Sequence, residues 1–191
     1  MSEELTDKRI DEILRMCTKE LKEVLPLTLD EIRRYGTAKM LKKVPDLLSR
    51  LIGRFIEMDA AKFLSEVPEV SDRFMDLLWE GVGSLAVTNE GLRSALERTT
   101  REIKVNLEAS DSPFRGHFIM GQGRLSGGSG LLHYREEDYR FMGPTEVLMG
   151  LLTGELPLGL SNLRLQTAGH SGFVGLIAPI LQGVSKLIKG R

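Results

Sequence analysis

The spacing of apolar residues divides the chain into a helical part, a strand-rich part and a helical end. Up to about residue 100, apolar residues recur at steps of three and four, which places them along one side of a helix. Between Ile103 and Leu107 the step shortens to two, because polar residues such as Lys104 and Asn106 alternate with the apolar ones. Helical spacing returns after Thr145. The pattern therefore predicts an α+β fold that is preceded by an all-α N-terminal extension.

Cap residues and a proline mark the ends of the first two predicted helices. Thr6 is a candidate cap of the first helix, whose apolar stripe includes Cys17 and which we expect to end at Pro26. Thr28 followed by Glu31 fits a capping box, so it predicts the start of the second helix. Because Cys17 lies on an apolar face, we expect its thiol to be buried and inert.

Three more helices are predicted before the strands begin. Pro45 and Pro68 suit the first turns of the third and fourth helices, where a missing N–H leaves no hydrogen bond unmade. Thr88 is a candidate cap of a short fifth helix. We accordingly assign residues 1–84 to a helical N-terminal region and residues 85–191 to a second domain.

Closely spaced turn signals predict an antiparallel meander after residue 101. The sequences at 110–113 and at 121–123 are rich in the residues that turns favour. After the strand that begins at Ile103, the pattern predicts further strands at Phe114–Met120, Ser126–Arg135 and Tyr139–Met142, and a last strand through Leu163, Leu165 and Thr167.

Two helices are predicted in the C-terminal part. Thr145 is a candidate cap of the first, and Gly154 suits its left-handed end. Ser171 is a candidate cap of the terminal helix, which has the most regular apolar stripe in the chain. That stripe consists of Phe173, Leu176, Ile177, Ile180, Leu181, Val184, Leu187 and Ile188.

Composition and charge exclude several classes of protein. With 41% hydrophobic and 28% charged residues the chain is typical of globular proteins, so wholesale disorder is not expected. Its 26 Lys and Arg nearly balance 27 Asp and Glu, which argues against nucleic acid as a partner. A single cysteine and an N-terminus without a signal-like apolar segment favour a soluble protein of the cytoplasm.

The C-terminal half contains the sequence Gly-Pro-Thr-Glu-Val-Leu-Met-Gly-Leu-Leu-Thr-Gly-Glu over Gly143–Glu155, followed by the strand-like Leu163–Thr167. These segments resemble the sterol carrier protein type 2 family. The likeness covers about residues 85–191, and neither the N-terminal helices nor the glycine-rich Ser126–Gly130 belongs to it. The resemblance implies an antiparallel-rich five-stranded sheet covered by helices, around an apolar tunnel for a lipid or acyl chain.

The lining of such a tunnel would come from apolar residues of the family-like half. The alternative for each of them is that it only fills the core, as most amphipathic stripes do. The candidate lipid-binding residues are Phe118, Met120, Leu132, Phe141, Val147, Leu151, Phe173, Leu176, Ile177 and Ile180.

The terminal helix suggests a membrane contact. Residues 165–185 carry no charge, yet their glutamines, Pro179 and glycines argue against a span of the bilayer. One hypothesis is a movable lid whose basic end, Lys186, Lys189 and Arg191, touches anionic membrane surfaces. The alternative is an ordinary C-terminal helix with cations near its negative dipole end.

The sequence contains no recognisable catalytic, cofactor or metal signature. Gly121-Gln122-Gly123 misses the dinucleotide fingerprint and leads into a strand. His117 and His133 lie on predicted neighbouring strands, but without the ligand spacing of a metal site. We therefore expect no catalytic residue, no cofactor and no metal.

Two functions remain from the sequence. The first is non-catalytic binding or carriage of an apolar lipid, which is fatty acyl, isoprenoid or sterol-like, in an internal cavity. The second is a structural or assembly module, in which the N-terminal helices form a homodimer or bind a partner and side chains fill the cavity.

Overall fold

The computed structural model describes residues 6–156 and 164–190. Residues 7–98 are mostly helical, as the spacing predicted. The helices are α1 Asp7–Leu14, α2 Thr18–Tyr35, α3 Thr37–Lys43, α4 Leu47–Glu57, α5 Ala60–Glu66, α6 Pro68–Ala86 and α7 Glu90–Arg98.

Helix α2 corrects the predicted division near Pro26. The predicted first helix breaks after Leu14, and α2 then continues through Pro26. Thr28 does not open a helix, because its hydroxyl donates back to the Val24 carbonyl one turn earlier, at 3.0 Å. The apolar stripe of α2 is buried on both sides of the proline, and that burial offsets the lost backbone hydrogen bond.

Cap residues were predicted with mixed success. Thr6 caps α1, since its hydroxyl accepts from the Arg9 N–H at 3.2 Å, and Pro68 occupies the start of α6 as expected. The prediction for Thr88 is wrong by one residue, because Asn89 caps α7 through the Leu92 N–H at 3.0 Å. The prediction for Cys17 is also wrong: the α1–α2 break places its side chain at a helix start, where it is exposed.

Five strands form one sheet in the order β3-β2-β1-β4-β5. Strand β4 pairs with β1 in parallel, and the other pairs are antiparallel, so the strands do not form a simple meander. The predicted third strand ends early because residues 130–138 carry the chain across the sheet to β4. The strands are β1 Ile103–Ala109, β2 Arg115–Gly121, β3 Arg124–Ser129, β4 Tyr139–Gly143 and β5 Gln166–Gly169.

Helix α6 lies along β3, at one border of the sheet. Gly127 permits this close approach, since a Cβ there would lie 2.8 Å from the ring of Trp79. The Asp76 carboxylate accepts a 2.8 Å hydrogen bond from the Ser129 N–H, a donor on β3. At the other border, β5 is exposed along its length, and in the described ranges its only neighbour in the sheet is β4.

Two helices complete the described chain. Helix α8, Thr145–Thr153, ends at Gly154 in the left-handed conformation (φ 68°), as predicted. Thr145 is not its cap but its first residue, and its hydroxyl donates to Asp111 at 2.6 Å. Helix α9, Val174–Ile188, follows a 3₁₀ turn, Ser171–Phe173.

The start of that turn corrects a second cap prediction in this half. The turn is capped by His170 and not by Ser171, since the His170 Nδ1 accepts from the Gly172 N–H. The predicted strand position Leu163 lies outside the described residues.

One continuous core joins the N-terminal helices to the sheet side. Phe55 of α4 makes an edge contact with Phe74 of α6 at 5.2 Å between ring centroids, and Phe74 lies 6.4 Å from Phe114 beside β2. The domain boundary predicted between residues 84 and 85 falls inside α6.

Candidate functional site

The inner face of the sheet is filled by side chains. Phe118 and Phe141 lie beside Val105 and Leu107 of the central strand, and all four are buried. The ring of Trp79 stacks on Phe118 with 4.8 Å between centroids. The indole N–H of Trp79 is buried and has no hydrogen-bond partner in the described structure. This part of the interior therefore holds an aromatic stack where the sequence predicted an apolar tunnel.

The ten predicted lining residues lie in three kinds of environment. Most are in the core, Leu132 and Phe173 are half-buried, and Leu176 is 40% exposed. Leu151, Leu176 and Met120 each line a different one of the described cavities. The buried members are Phe118, Met120, Phe141, Val147, Leu151, Ile177 and Ile180.

Leu132 lies across the sheet from Phe118. Its backbone N–H donates to the Asn106 Oδ1 at 2.9 Å, and its carbonyl accepts from the Asn106 Nδ2 at 3.0 Å. Asn106 points away from the inner face, because side chains alternate along β1. Its amide also donates to Glu137, which hydrogen-bonds to Arg140 and thereby raises the pKa of that guanidinium. This polar network fixes the 130–138 crossover on the outer face.

Helix α9 is apolar and only partly covered. By length and composition, the segment Ser171–Ile188 is apolar enough to cross a membrane. Only 28% of its residues are buried against the rest of the described protein. Its buried stripe comprises Ile177, Ile180, Leu181, Val184 and Ile188 and faces the rest of the protein. The opposite side leaves Leu176, Pro179 and Gln182 exposed.

A groove of about 400 Å³ runs between α7 and α9. The two helices are antiparallel there: Leu92, near the start of α7, fits against Gly183, whereas Arg101, just after α7, lies over the ring of Phe173 at 4.6 Å. The lining is mostly apolar and small. It consists of Asn89, Gly91, Leu92, Ala95, Arg98, Thr99, Gly175, Leu176, Pro179, Gln182, Gly183 and Lys186.

The charged residues that line this groove in the described part of the chain are both positive. Arg98 lies at the end near Leu176, and Lys186 lies at the end near Leu92. Arg98 is held by Ser94, whose hydroxyl accepts from its guanidinium at 3.1 Å. The groove can therefore take an apolar chain along its floor and a negative group at either end.

A smaller groove of about 200 Å³ lies on the other side of α9, beside α8. Leu151, Leu156, Ala178 and Leu181 give it an apolar lining, and Ser185 closes one part of it. Helix α9 is thus flanked by apolar grooves on both sides of its buried stripe.

The histidines make local hydrogen bonds. His117 Nδ1 lies 3.0 Å from the Gly130 carbonyl, and His133 Nδ1 accepts from the Arg135 N–H at 3.3 Å. Within residues 6–156 and 164–190, no three His, Cys, Asp or Glu side chains are grouped so that they could hold a metal ion.

The sequence signal for the α7–α9 groove was present but was interpreted differently. Gly175, Pro179 and Gly183 recur at four-residue steps, which places them on one side of α9. In the sequence, Pro179 and the glycines argue against a span of the bilayer, whereas in the structure Gly175, Pro179 and Gly183 line the groove. The contribution of α7 was missed because no local pattern shows which helix lies beside α9.

Comparisons with known proteins find similarity at low sequence identity, and only among solved structures. No family model and no curated protein matches the chain. A solved structure described as "UbiJ-SCP2 Ubiquinone synthesis protein" is 15% identical, with a TM-score of 0.38 over 56% of this chain and 90% of its own. The apo form of Sterol Carrier Protein 2 from Yarrowia lipolytica is 13% identical, with a TM-score of 0.41 over 63% and 93%.

Proposed function

We propose that the protein binds or carries an apolar lipid without catalysis, and that the α7–α9 groove holds its chain. The observation that carries this proposal is the groove itself, an apolar channel of about 400 Å³ beside a partly covered apolar helix. Each methylene that such a channel removes from water contributes about 0.8 kcal/mol, so a long alkyl chain needs few polar contacts. The ligand is fatty acyl, isoprenoid or sterol-like.

The sheet interior is a second place where a lipid chain would fit only after rearrangement. A ligand between the sheet and the helices would have to separate Trp79 from Phe118, which stack in this structure. The buried candidate residues, such as Phe118 and Phe141, would contact a lipid only in a state in which this stack has opened, and their lipid-binding role stays a prediction for that state. Trp79 is the sole tryptophan, so its fluorescence distinguishes the two places. A chain in the α7–α9 groove leaves the Trp79–Phe118 stack intact.

The second candidate function is an assembly module. The filled inner face favours it, because a core without space needs no ligand. In that case the N-terminal helices form a homodimer or bind a partner. Cytoplasmic localisation and a membrane contact through Lys186, Lys189 and Arg191 belong to the carrier proposal; Arg191 lies outside the described residues.

Blocking the groove tests the carrier proposal. A Cβ at Gly175 would meet no atom within 4 Å, so Gly175→Leu places a side chain in the groove without a clash. We expect Gly175→Leu to lower the affinity for a fluorescent long-chain fatty acid at least tenfold. A loss of this size corresponds to the burial of about two methylene groups. The same titration, followed at Trp79, should show little change in tryptophan emission.

The matched control is Gly53→Leu in α4. Gly53 is also exposed, helical and open around its Cβ, but it does not line the groove. Both variants should be as stable as the wild type or slightly more so, since leucine favours helix over glycine. Wild-type protein that carries no lipid in native mass spectrometry and does not bind the fatty acid would instead support the assembly module.

A further inference from the structure

The outward side of α9 is an apolar surface that the rest of the described protein leaves uncovered. Leu176 is 40% exposed, Gly175 and Pro179 are exposed, and Phe173 is half-buried at the start of the helix. Together with the groove beside it, this side forms a continuous strip on one face of the molecule. We call the strip of Phe173, Leu176, Pro179 and Lys186, with Arg98 across the groove, the α9 face.

Positive charge is present at both ends of the α9 face. Arg98 lies at the Leu176 end and Lys186 at the other, and Lys189 follows Lys186 one turn later. Among residues 6–156 and 164–190, no Asp or Glu lines the groove, and the sequence contains neither after Glu155. Glu97 on α7 pairs with Arg93 and is not part of the groove lining.

We infer that the α9 face docks on an anionic membrane surface, with α9 lying in the plane of the headgroups. An apolar strip flanked by cations matches such a surface: the apolar side chains enter the interface and the cations meet lipid headgroups. The inference rests on the proposed function, because docking brings the mouth of the lipid groove against the bilayer.

Other occupants of the α9 face fit less well. A second copy related by two-fold symmetry would bring the same positive face against itself. Insertion across the bilayer would expose the buried stripe, so Ile177, Ile180 and Val184 would have to leave the protein core. A membrane surface satisfies both the apolar strip and its charges without unfolding.

Vesicle sedimentation of the full chain tests the inference. Wild-type protein should sediment with vesicles that contain phosphatidylglycerol and not with phosphatidylcholine vesicles, and added salt should release it. Arg98→Gln and Lys186→Gln should each weaken binding about fivefold, and Leu176→Gln about tenfold.

Two matched controls lie outside the α9 face. Arg93→Gln removes the same charge from α7, and Leu27→Gln removes a leucine that is 61% exposed on α2. Both should bind vesicles as the wild type does. Equal binding to both kinds of vesicle, or equal loss in Arg93→Gln and Arg98→Gln, overturns the inference.

Fatty-acid displacement measured without vesicles separates this inference from the proposed function. Protein that binds the fatty acid but neither kind of vesicle contradicts the docking inference and leaves lipid carriage in place. Protein that binds anionic vesicles but no fatty acid contradicts carriage and leaves the docking face in place.

Discussion

At the scale of single residues, Asn106 determines the path of the chain across the sheet. It is fully buried, and its side chain makes hydrogen bonds to the backbone of Leu132 and to Glu137. We expect Asn106→Leu to lower the free energy of unfolding by about 2–4 kcal/mol, because it leaves several buried polar groups without partners. Urea denaturation measures the change.

Ser126→Ala is a suitable control for that variant. Ser126 lies on β3, on the same side of the sheet as Asn106, but it is exposed. Its substitution should change stability by less than about 0.5 kcal/mol. A small effect at both positions would contradict the role given to Asn106.

The ion pair between Glu66 and Lys22 gives a pH dependence with a defined sign. The hydrogen bond from Lys22 lowers the pKa of the Glu66 carboxyl, with further help from the charges of Lys22 and Lys62. A lowered folded pKa means that the contribution to stability is present above the unfolded pKa, about 4.3, and is lost as the pH falls through the folded pKa.

A double-mutant cycle of Glu66→Gln and Lys22→Gln measures that contribution. The coupling between the two changes should be favourable at neutral pH and should disappear in acid. Because Glu66 is exposed and Lys22 is only half-buried, we expect the coupling to be small and to weaken with salt. Coupling of equal size at both pH values would show that the pair does not act through charge.

Residue-level predictions succeeded where the determining partners are close in sequence. Thr6 and Gly154 follow from rules that involve only the neighbouring turn, and both are confirmed. Asn106 could not be assigned from the sequence, because its partners are 26 and 31 residues away. Cys17 was misplaced because the break between α1 and α2 has no local signal.

At the scale of elements, two prolines show how the effect of this residue depends on its position in a helix. Pro179 lies inside α9 and is exposed, whereas Pro68 lies at the start of α6 and is also exposed. We expect Pro179→Ala to raise the free energy of unfolding by about 1–3 kcal/mol, because it restores a helical hydrogen bond. Thermal and urea denaturation report the change.

Pro68→Ala makes the same chemical change where no hydrogen bond is lost. It should leave stability unchanged or slightly lower, since alanine only adds freedom to the unfolded chain. An equal rise in both variants would mean that proline itself, rather than its position, matters. Weaker fatty-acid binding by Pro179→Ala would further link the shape of α9 to the groove.

The strands were predictable from alternation, but their order was not. Strands β1, β2 and β4 lie within a few residues of their predicted positions, and the turn at 121–123 is confirmed. The parallel pairing of β4 with β1 depends on the 130–138 crossover, whose polar contacts come from distant residues. Spacing along one strand carries no information about its neighbour.

At the scale of the whole molecule, the shared core predicts a single unfolding transition. Phe55 of α4 is buried against Phe63 and Phe74, and this aromatic cluster continues to Phe114 beside the sheet. We expect Phe55→Ala to lower the free energy of unfolding by about 3–5 kcal/mol. Helical circular dichroism and Trp79 fluorescence should then shift together.

Two separate transitions would contradict that expectation. The dichroism signal is dominated by the many helices of residues 6–98, whereas Trp79 reports the contact between α6 and the sheet. A Trp79 transition that Phe55→Ala leaves unchanged would support independent N-terminal and C-terminal domains, as the sequence division at residue 84 predicted.

The candidate site could be predicted only in part from the sequence, because its two walls are far apart along the chain. The terminal helix was evident from the sequence, and most of its predicted apolar stripe forms the core contact of α9. Leu176, which the sequence placed on that stripe, lies instead on the exposed side. The groove needs α7 as its second wall, and α7 is separated from α9 by the whole sheet in the chain order. Only the assembled fold brings Ala95 and Pro179 to the same cavity.

The seal that α6 places over β3 has a consequence for self-association. Because Asp76 holds the Ser129 N–H and α6 packs closely on Gly127, α6 hinders the pairing of β3 with a strand from another molecule. In the described ranges, only the β5 side is left for such an encounter. Two molecules that pair through their β5 strands would each occupy that border, and because α6 hinders further pairing at β3, association would favour a pair over a fibre.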